Sequence, residues 1–294
     1  MTRIFLSKFG FVDDSLTEWI LGVLEDCYRR IGRPELLELW IFERASRMDA
    51  VLAGEAAFVG VRGPVSGLGF FATHDAWRGT PRIMVCLERM RGLPRLLQLG
   101  GLRHEAGHSV LHGSLEHYIF PMPRSLLKAS ELLGGSRELA ETLLYLLSIA
   151  VKDYEVERLL VDHGFINCQF AYAEYVIKPS REEVEAWRRL STPGERALYI
   201  AQLLKGVGCL APILEVKSEA ENLLEDSLRH LPGRLREGVR EAMSFLSAPK
   251  GDTLTRLRIL SNFFHSRIVA QIIDDREETL KSNRKPSKSP SSGI

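Results

Sequence analysis

Amide side chains are scarce in this chain: asparagine and glutamine together number eight in 294 residues, whereas charged residues make up 26%. Few labile amides and many potential ion pairs point to a thermophilic source, though not to any chemistry. Cysteine is sparse too. Cys27, Cys86, Cys168 and Cys209 lie far apart and form no C-x-x-C pair, which excludes a cysteine zinc cluster or dithiol redox motif and favours a reducing compartment. A signal peptide is not expected, because the opening MTRIFLSKFGFVDD reaches acids before any apolar run long enough for one. The stretch from Leu143 to Val151, the most apolar by inspection, has about half the length a bilayer crossing needs. These absences predict a cytoplasmic protein with no membrane partner.

A basic excess is missing as well. Net charge is +1, but Lys281, Arg284, Lys285 and Lys288 fall in a terminal segment without acids, and removing those four charges leaves residues 1–280 at −3. The body of the chain therefore offers no basic footprint for nucleic acid, and four charges on a flexible end would give only weak, salt-sensitive affinity.

What is present reads as a mainly helical α+β protein. Residues 4–11 and 36–42 have strand character, 16–28 and 48–57 helical character, and 70–73 and 82–87 form two further short strand candidates. The segment RIMVCL alternates little, so it should be covered on both faces. A long helix should start at Gly92-Leu93-Pro94 and stop at Gly113. Pro121 and Pro123 mark a linker before a short helix near 125–133. Ser136 then caps a second long helix that Gly164 closes. From about 169 the pattern is helix after helix, with breaks expected at Pro179, Ser191 to Gly194, Pro212, Pro232-Gly233 and Pro249 to Gly251. The division expected is 1–165 as one domain, 166–280 as a helical domain or lid, and 281–294 as a disordered basic tail.

Inside the first long helix lies His104-Glu105-Ala106-Gly107-His108. Residues four apart share a helix face, so His104 and His108 can both turn a ring nitrogen to one ion, while Glu105 can take a proton from water without being a ligand. Catalytic zinc needs a third protein ligand and an open position. A third histidine six residues on fails, because Ser114 stands there and Leu111 occupies the required glycine position. The second long helix can supply the ligand: Leu139, Leu143, Leu146, Ala150, Asp153, Glu157 and Leu160 form one stripe in which two acids interrupt an apolar seam. Buried acids require a cation or strong donors, so Asp153 is the candidate ligand and Glu157 the carboxylate orienting a ligating histidine. Glu157 or Glu155 in the ligand role stays open. Glu155 groups with Lys152, Arg158 and Asp162 on what reads as a solvated face. The blander alternative pairs the two acids with Arg103 or Arg137.

HEAGH followed by KDYEVERLL resembles the gluzincin-type zinc metallopeptidases, in which a second helix behind the motif helix donates an acidic ligand. It is similar also to metallopeptidase-type domains with HExxH and a downstream D-x-x-x-N. The likeness covers about residues 70 to 165, and the order of Asp153 and Glu157 departs from both patterns. It implies a zincin-like core, one Zn2+ per chain on His104, His108 and Asp153, Glu105 as general base, and a peptide or protein substrate. By resemblance, RIMVCL would be the strand edge along which a peptide pairs. His112 continues the series in a supporting or surface role. His117, Tyr118, Tyr154 and His163 are candidates to steady an oxyanion, and His74 and Asp75 would line a cleft or form a turn. The rival expectation is a non-catalytic helical scaffold, cemented by metal, that binds a partner.

Overall fold

A computed structural model describes residues 2–58, 70–247 and 251–275. The tail expected to be disordered, 281–294, and the break at Pro249 lie outside the described residues. The fold is α+β and mainly α, with one four-stranded sheet. Strand β1 (Arg3–Phe9) passes through α1 (Asp14–Ile31) to β2 (Leu36–Phe42), and α2 (Ala45–Phe58) precedes β3 (Ala72–Asp75) and β4 (Arg82–Cys86). The order is β1-β2-β4-β3, with β1, β2 and β4 parallel and β3 antiparallel to β4 at one edge. A helical crossover is what two adjacent parallel strands demand, and α1 provides it. Asp13 caps that helix by accepting from the Leu16 amide, and Arg29 and Arg30 lie in its last turn, where cations suit the helix dipole.

Every residue of β4 is buried, as its weak alternation predicts. Leu37, Leu39, Ile41, Ile83 and Val85 face a core shared with Ile20, Leu24 and Tyr28 of α1. Phe42, Met84 and Cys86 face Met48 and Leu52 of α2 on the other side. Arg82 is also buried, its guanidinium bonded to Glu55 and Asp75 and laid over the Trp40 ring. A desolvated arginine survives there because two carboxylates and an aromatic face replace its water.

The chain continues through α3 (Leu87–Met90), α4 (Arg95–Leu111), α5 (Arg124–Leu132), α6 (Arg137–Asp162) and α7 (Ile166–Ile177). Pro94 stands just before α4, and Gly164, at φ 81°, turns the chain after α6. Then come α8 (Arg181–Arg189), α9 (Pro193–Leu214), α10 (Glu219–Leu228), α11 (Gly233–Ser247) and α12 (Thr253–Phe263), which runs on into a π turn at Phe264–Val269. Two expectations are corrected here. Pro212 does not break the chain but sits inside α9, where burial of Val207, Leu210 and Ile213 outweighs the one backbone hydrogen bond it forfeits. The expectation that no segment has the length of a membrane span is also corrected: α9 is long and apolar enough to cross a membrane, and 67% of its most apolar 18-residue window is buried, as in the core helix of a globular protein.

The residues fall into two compact units. One comprises Met1–Pro121, Ile149–Lys178 and Lys205–Ser227, and the other Met122–Ser148, Pro179–Leu204 and Leu228–Ile294. A single cut at 165/166 is thus replaced by interleaved segments. The first unit holds the sheet, α1, α4, α7 and the second half of α6. The second is helical throughout its described residues.

Candidate metal centre

The motif helix α4 carries two glycines that let its neighbours approach. A Cβ on Gly107 would lie 2.6 Å from Val156 Cγ1 of α6, and one on Gly100 would lie 2.3 Å from the Cys168 carbonyl of α7. Val156 sits between Asp153 and Glu157 in sequence, so close approach at Gly107 brings both acids onto the histidine face of α4. His104 Nε2 and His108 Nε2 are 3.0 Å apart, His108 Nε2 is 3.1 Å from Asp153 Oδ1, and His104 Nε2 is 3.6 Å from the same oxygen. Nitrogen and oxygen ligands about 2.0–2.1 Å from a tetrahedral zinc are spaced about 3.3 Å from one another, so the triangle has the dimensions of a zinc site.

The outer ring nitrogens show where the protons are. His104 Nδ1 is 2.7 Å from Glu157 Oε1, and the Gln169 amide, with its nitrogen toward Glu157, donates to both oxygens at 3.2 and 3.3 Å. Nδ1 of His104 is therefore the donor, and a neutral ring keeps its lone pair on Nε2. His112 Nε2 donates to Glu155 Oε2 at 3.0 Å, which leaves His112 Nδ1 to accept from His108 Nδ1 at 3.2 Å. His108 then also presents a lone pair at Nε2. Two imidazole lone pairs and a carboxylate oxygen converge on one point, and positive charge is needed there.

A proton supplies that charge only in part. Burial opposes protonation of His104, but hydrogen bonds to Asp153 and Glu157 outweigh it and raise the ring to about 10. Burial lowers His108 to about 3, against the pull of Asp153. Burial would raise Asp153, yet its hydrogen bonds to His104 and His108 hold it well below the usual carboxylate range. One proton on His104 still leaves the His108 lone pair against Asp153. A divalent cation satisfies all three atoms, so the donor set fits one. A second grouping, His104 with Glu157 and Cys209, fits less well: burial pushes the Cys209 thiol well above its usual range, and Glu157 is already engaged by His104 and Gln169.

Glu105 is 6% exposed, and burial raises it to about 7, opposed by the charges of His104 and Lys205 and by the His74 backbone N–H. That N–H belongs to β3, and here the structure corrects the edge assignment. The strand Arg82–Cys86 is internal, paired on both sides; among the described residues the edges of the sheet are β1 and β3, and β3 is the one beside α4. Because the Cys86 amide bonds to the Phe71 carbonyl, the alternating pairs Thr73–Met84 and Asp75–Arg82 bond inward, and Ala72 and His74 turn their backbone groups outward.

Other expectations also change. Glu155 is not on a solvated face: its side chain is 15% exposed and holds His112, because α6 turns that flank toward α4. The arginines proposed as partners for the acids are elsewhere, Arg103 on Asp26 and Arg137 on Glu141. His163 bonds to the Leu159 carbonyl at the end of α6. Tyr154 lies beside Arg158, and His117 packs edge-on to His112. Tyr118 reaches His74, whose ring is parallel to that of His108. Gln169 and Tyr172 of α7 had no signal in the pattern beyond a polar and an aromatic group on an apolar helix, yet the Tyr172 ring packs 4.4 Å from His104. Exposure is one-sided: His104, Asp153 and Glu157 are buried, whereas His74, His108, His117 and Tyr118 are each partly exposed. Comparisons of the chain with protein-family models, with curated proteins and with solved structures find no match.

Proposed function

We propose that this protein is a zinc-dependent hydrolase of peptide or other amide bonds, of the gluzincin-like type that HEAGH and its downstream acids suggest. The observation that carries the reading is the convergence of His104 Nε2, His108 Nε2 and Asp153 Oδ1 beside a buried glutamate. In this reading those three residues hold one zinc ion per chain, Glu157 fixes the His104 ring, and His112 with Glu155 fixes the His108 ring. When bound, the ion supplies a Lewis acid for the scissile carbonyl. Glu105 accepts a proton at its carboxylate from the attacking water and returns it to the leaving amine, both of which suit a group held near neutrality. The outward amide and carbonyl of Ala72 and the outward carbonyl of His74, whose amide is taken by Glu105, offer an extended polypeptide main-chain hydrogen bonds along the edge of β3, which would favour unfolded segments over particular side chains. Four free, buried cysteines agree with a reducing, cytoplasmic setting.

A second reading is favoured by one observation, the depth of the centre: His104 and Asp153 are each 2% exposed. A centre so enclosed suits a metal that cements a scaffold for partner binding. Metal analysis and hydrolysis of an unfolded polypeptide separate the two. We expect stoichiometric zinc in the wild type, loss of zinc in His108→Ala and Asp153→Ala, and Glu105→Gln that keeps zinc but loses turnover. Zinc without any hydrolysis in the wild type would favour the scaffold, and full activity in Glu105→Gln would overturn the mechanism.

A further inference from the structure

One buried polar atom beside the centre has no hydrogen-bond partner among the described residues, Nε2 of His74. Everything else about this side chain is held. Its backbone sits in β3, with the amide toward Glu105. Its ring lies parallel to the His108 ring, 8° between planes and 5.8 Å between centroids. Its Nδ1 is 3.3 Å from the Tyr118 hydroxyl. The Tyr118 ring in turn carries the Lys152 ammonium at 4.7 Å, and that ammonium also reaches the His117 carbonyl at 3.4 Å.

A buried ring nitrogen without a partner is costly, and folded proteins keep such groups chiefly where a ligand or water completes them. The surroundings say which ligand. His74 belongs to the partly exposed flank of the centre, the flank by which a substrate can arrive, and its own carbonyl faces the outer side of β3. The group brought there by an extended polypeptide is a peptide carbonyl. A proton on Nε2 is available if the Tyr118 hydroxyl donates to Nδ1, which fixes the tautomer.

Resting on the amide-hydrolase reading, we propose that His74 is a further catalytic residue, its Nε2–H donating to the oxygen of the scissile carbonyl as negative charge develops there, with Tyr118 as its positioning residue. No proton changes hands in this contact. The hydrogen bond strengthens as the carbonyl becomes tetrahedral and relaxes when the amine leaves, so it acts on turnover more than on binding.

The test uses fluorescein-labelled casein as substrate and compares wild type, Glu105→Gln, His74→Phe, His74→Gln and Tyr118→Phe, each with its zinc content measured. Phenylalanine keeps a ring against His108 and removes the donor, while glutamine restores an N–H near the position of Nε2. We expect His74→Phe to retain zinc and lose about 100-fold to 1000-fold in kcat with KM little changed. His74→Gln should recover part of that loss, and Tyr118→Phe should show a smaller one. Wild-type kcat in His74→Phe, or loss of zinc from it, overturns the role; if that variant fails to fold, His74→Ala against His74→Gln decides on the same criteria. Absence of Glu105-dependent hydrolysis in the wild type instead removes the hydrolase reading, and this role with it.

Discussion

His108 owes its proton arrangement to two groups that touch no ion, His112 and Glu155. Breaking the chain at its far end tests the assignment. Glu155→Ala should weaken zinc binding by about 10-fold to 100-fold, whereas Glu155→Gln, which keeps an acceptor for His112, should stay near wild type. Competition with a chelating fluorophore reads the difference, and equal affinities in the two variants would reject the proposed proton positions. His104, Glu105 and His108 could be read together from spacing along α4, and Asp153 from the apolar stripe it interrupts on α6. Glu155 was not. Its neighbours Lys152, Arg158 and Asp162 make a charged stripe that resembles a wet surface, and only the packing of α6 on α4 carries Glu155 inward to His112 while Asp162 stays exposed. His74 was legible only as a cleft or turn candidate, since nothing in a four-residue strand announces which helix its ring will meet.

The helices α4, α6 and α7 depend on small residues where they pass. Gly107→Ala places a methyl 2.6 Å from Val156 Cγ1, and relief requires α6 to move with Asp153 and Glu157 on it. We expect a stability loss of about 1–3 kcal/mol in urea unfolding, accompanied by weaker zinc binding. Gly22 in α1 is the counterexample: it is exposed, and nothing lies within 4 Å of a Cβ built there. Gly22→Ala should therefore stabilise by about 0.5–1 kcal/mol with zinc affinity unchanged. A shared response of the two variants would contradict the packing argument. Element boundaries were largely readable, since Pro94, Gly164 and the weakly alternating Arg82–Cys86 carry strong local signals. Pro212 misled because its local cost is overruled by burial along α9. The strand edge misled because pairing partners are a property of the sheet and not of RIMVCL.

Across the whole chain, the sequence pattern separates sheet-bearing from helical parts but not the way they interleave. Residues 122–148 group with the later helices, while Lys205–Ser227 groups with the sheet. Hydrophobic periodicity marks which face of a helix is covered and is silent on which neighbour covers it, so a linear boundary was the simplest expectation. Buried thiol and phenol groups give the folded molecule an alkaline limit. Burial raises Cys27 from 9.0 to about 12 and also raises Tyr28. These groups resist ionisation only when folded, so their contribution is complete below the unfolded value and declines as pH rises from 9 toward 12. The melting temperature should be lower at pH 10.5 than at pH 8, in each case at fixed salt, and an equal or higher value would show that these side chains reach water.

His104 and His108 of α4 and His112 at its C-cap are spaced four apart on a screw that repeats every 3.6 residues, so each is rotated about 40° from the last, like marks on a vernier scale. The first two marks coincide with the same point in space, and the third has slipped far enough to meet the back of the second instead. Inserting one residue between His108 and His112 would advance the phase by about 100° and disconnect Glu155 from the centre while leaving HEAGH untouched.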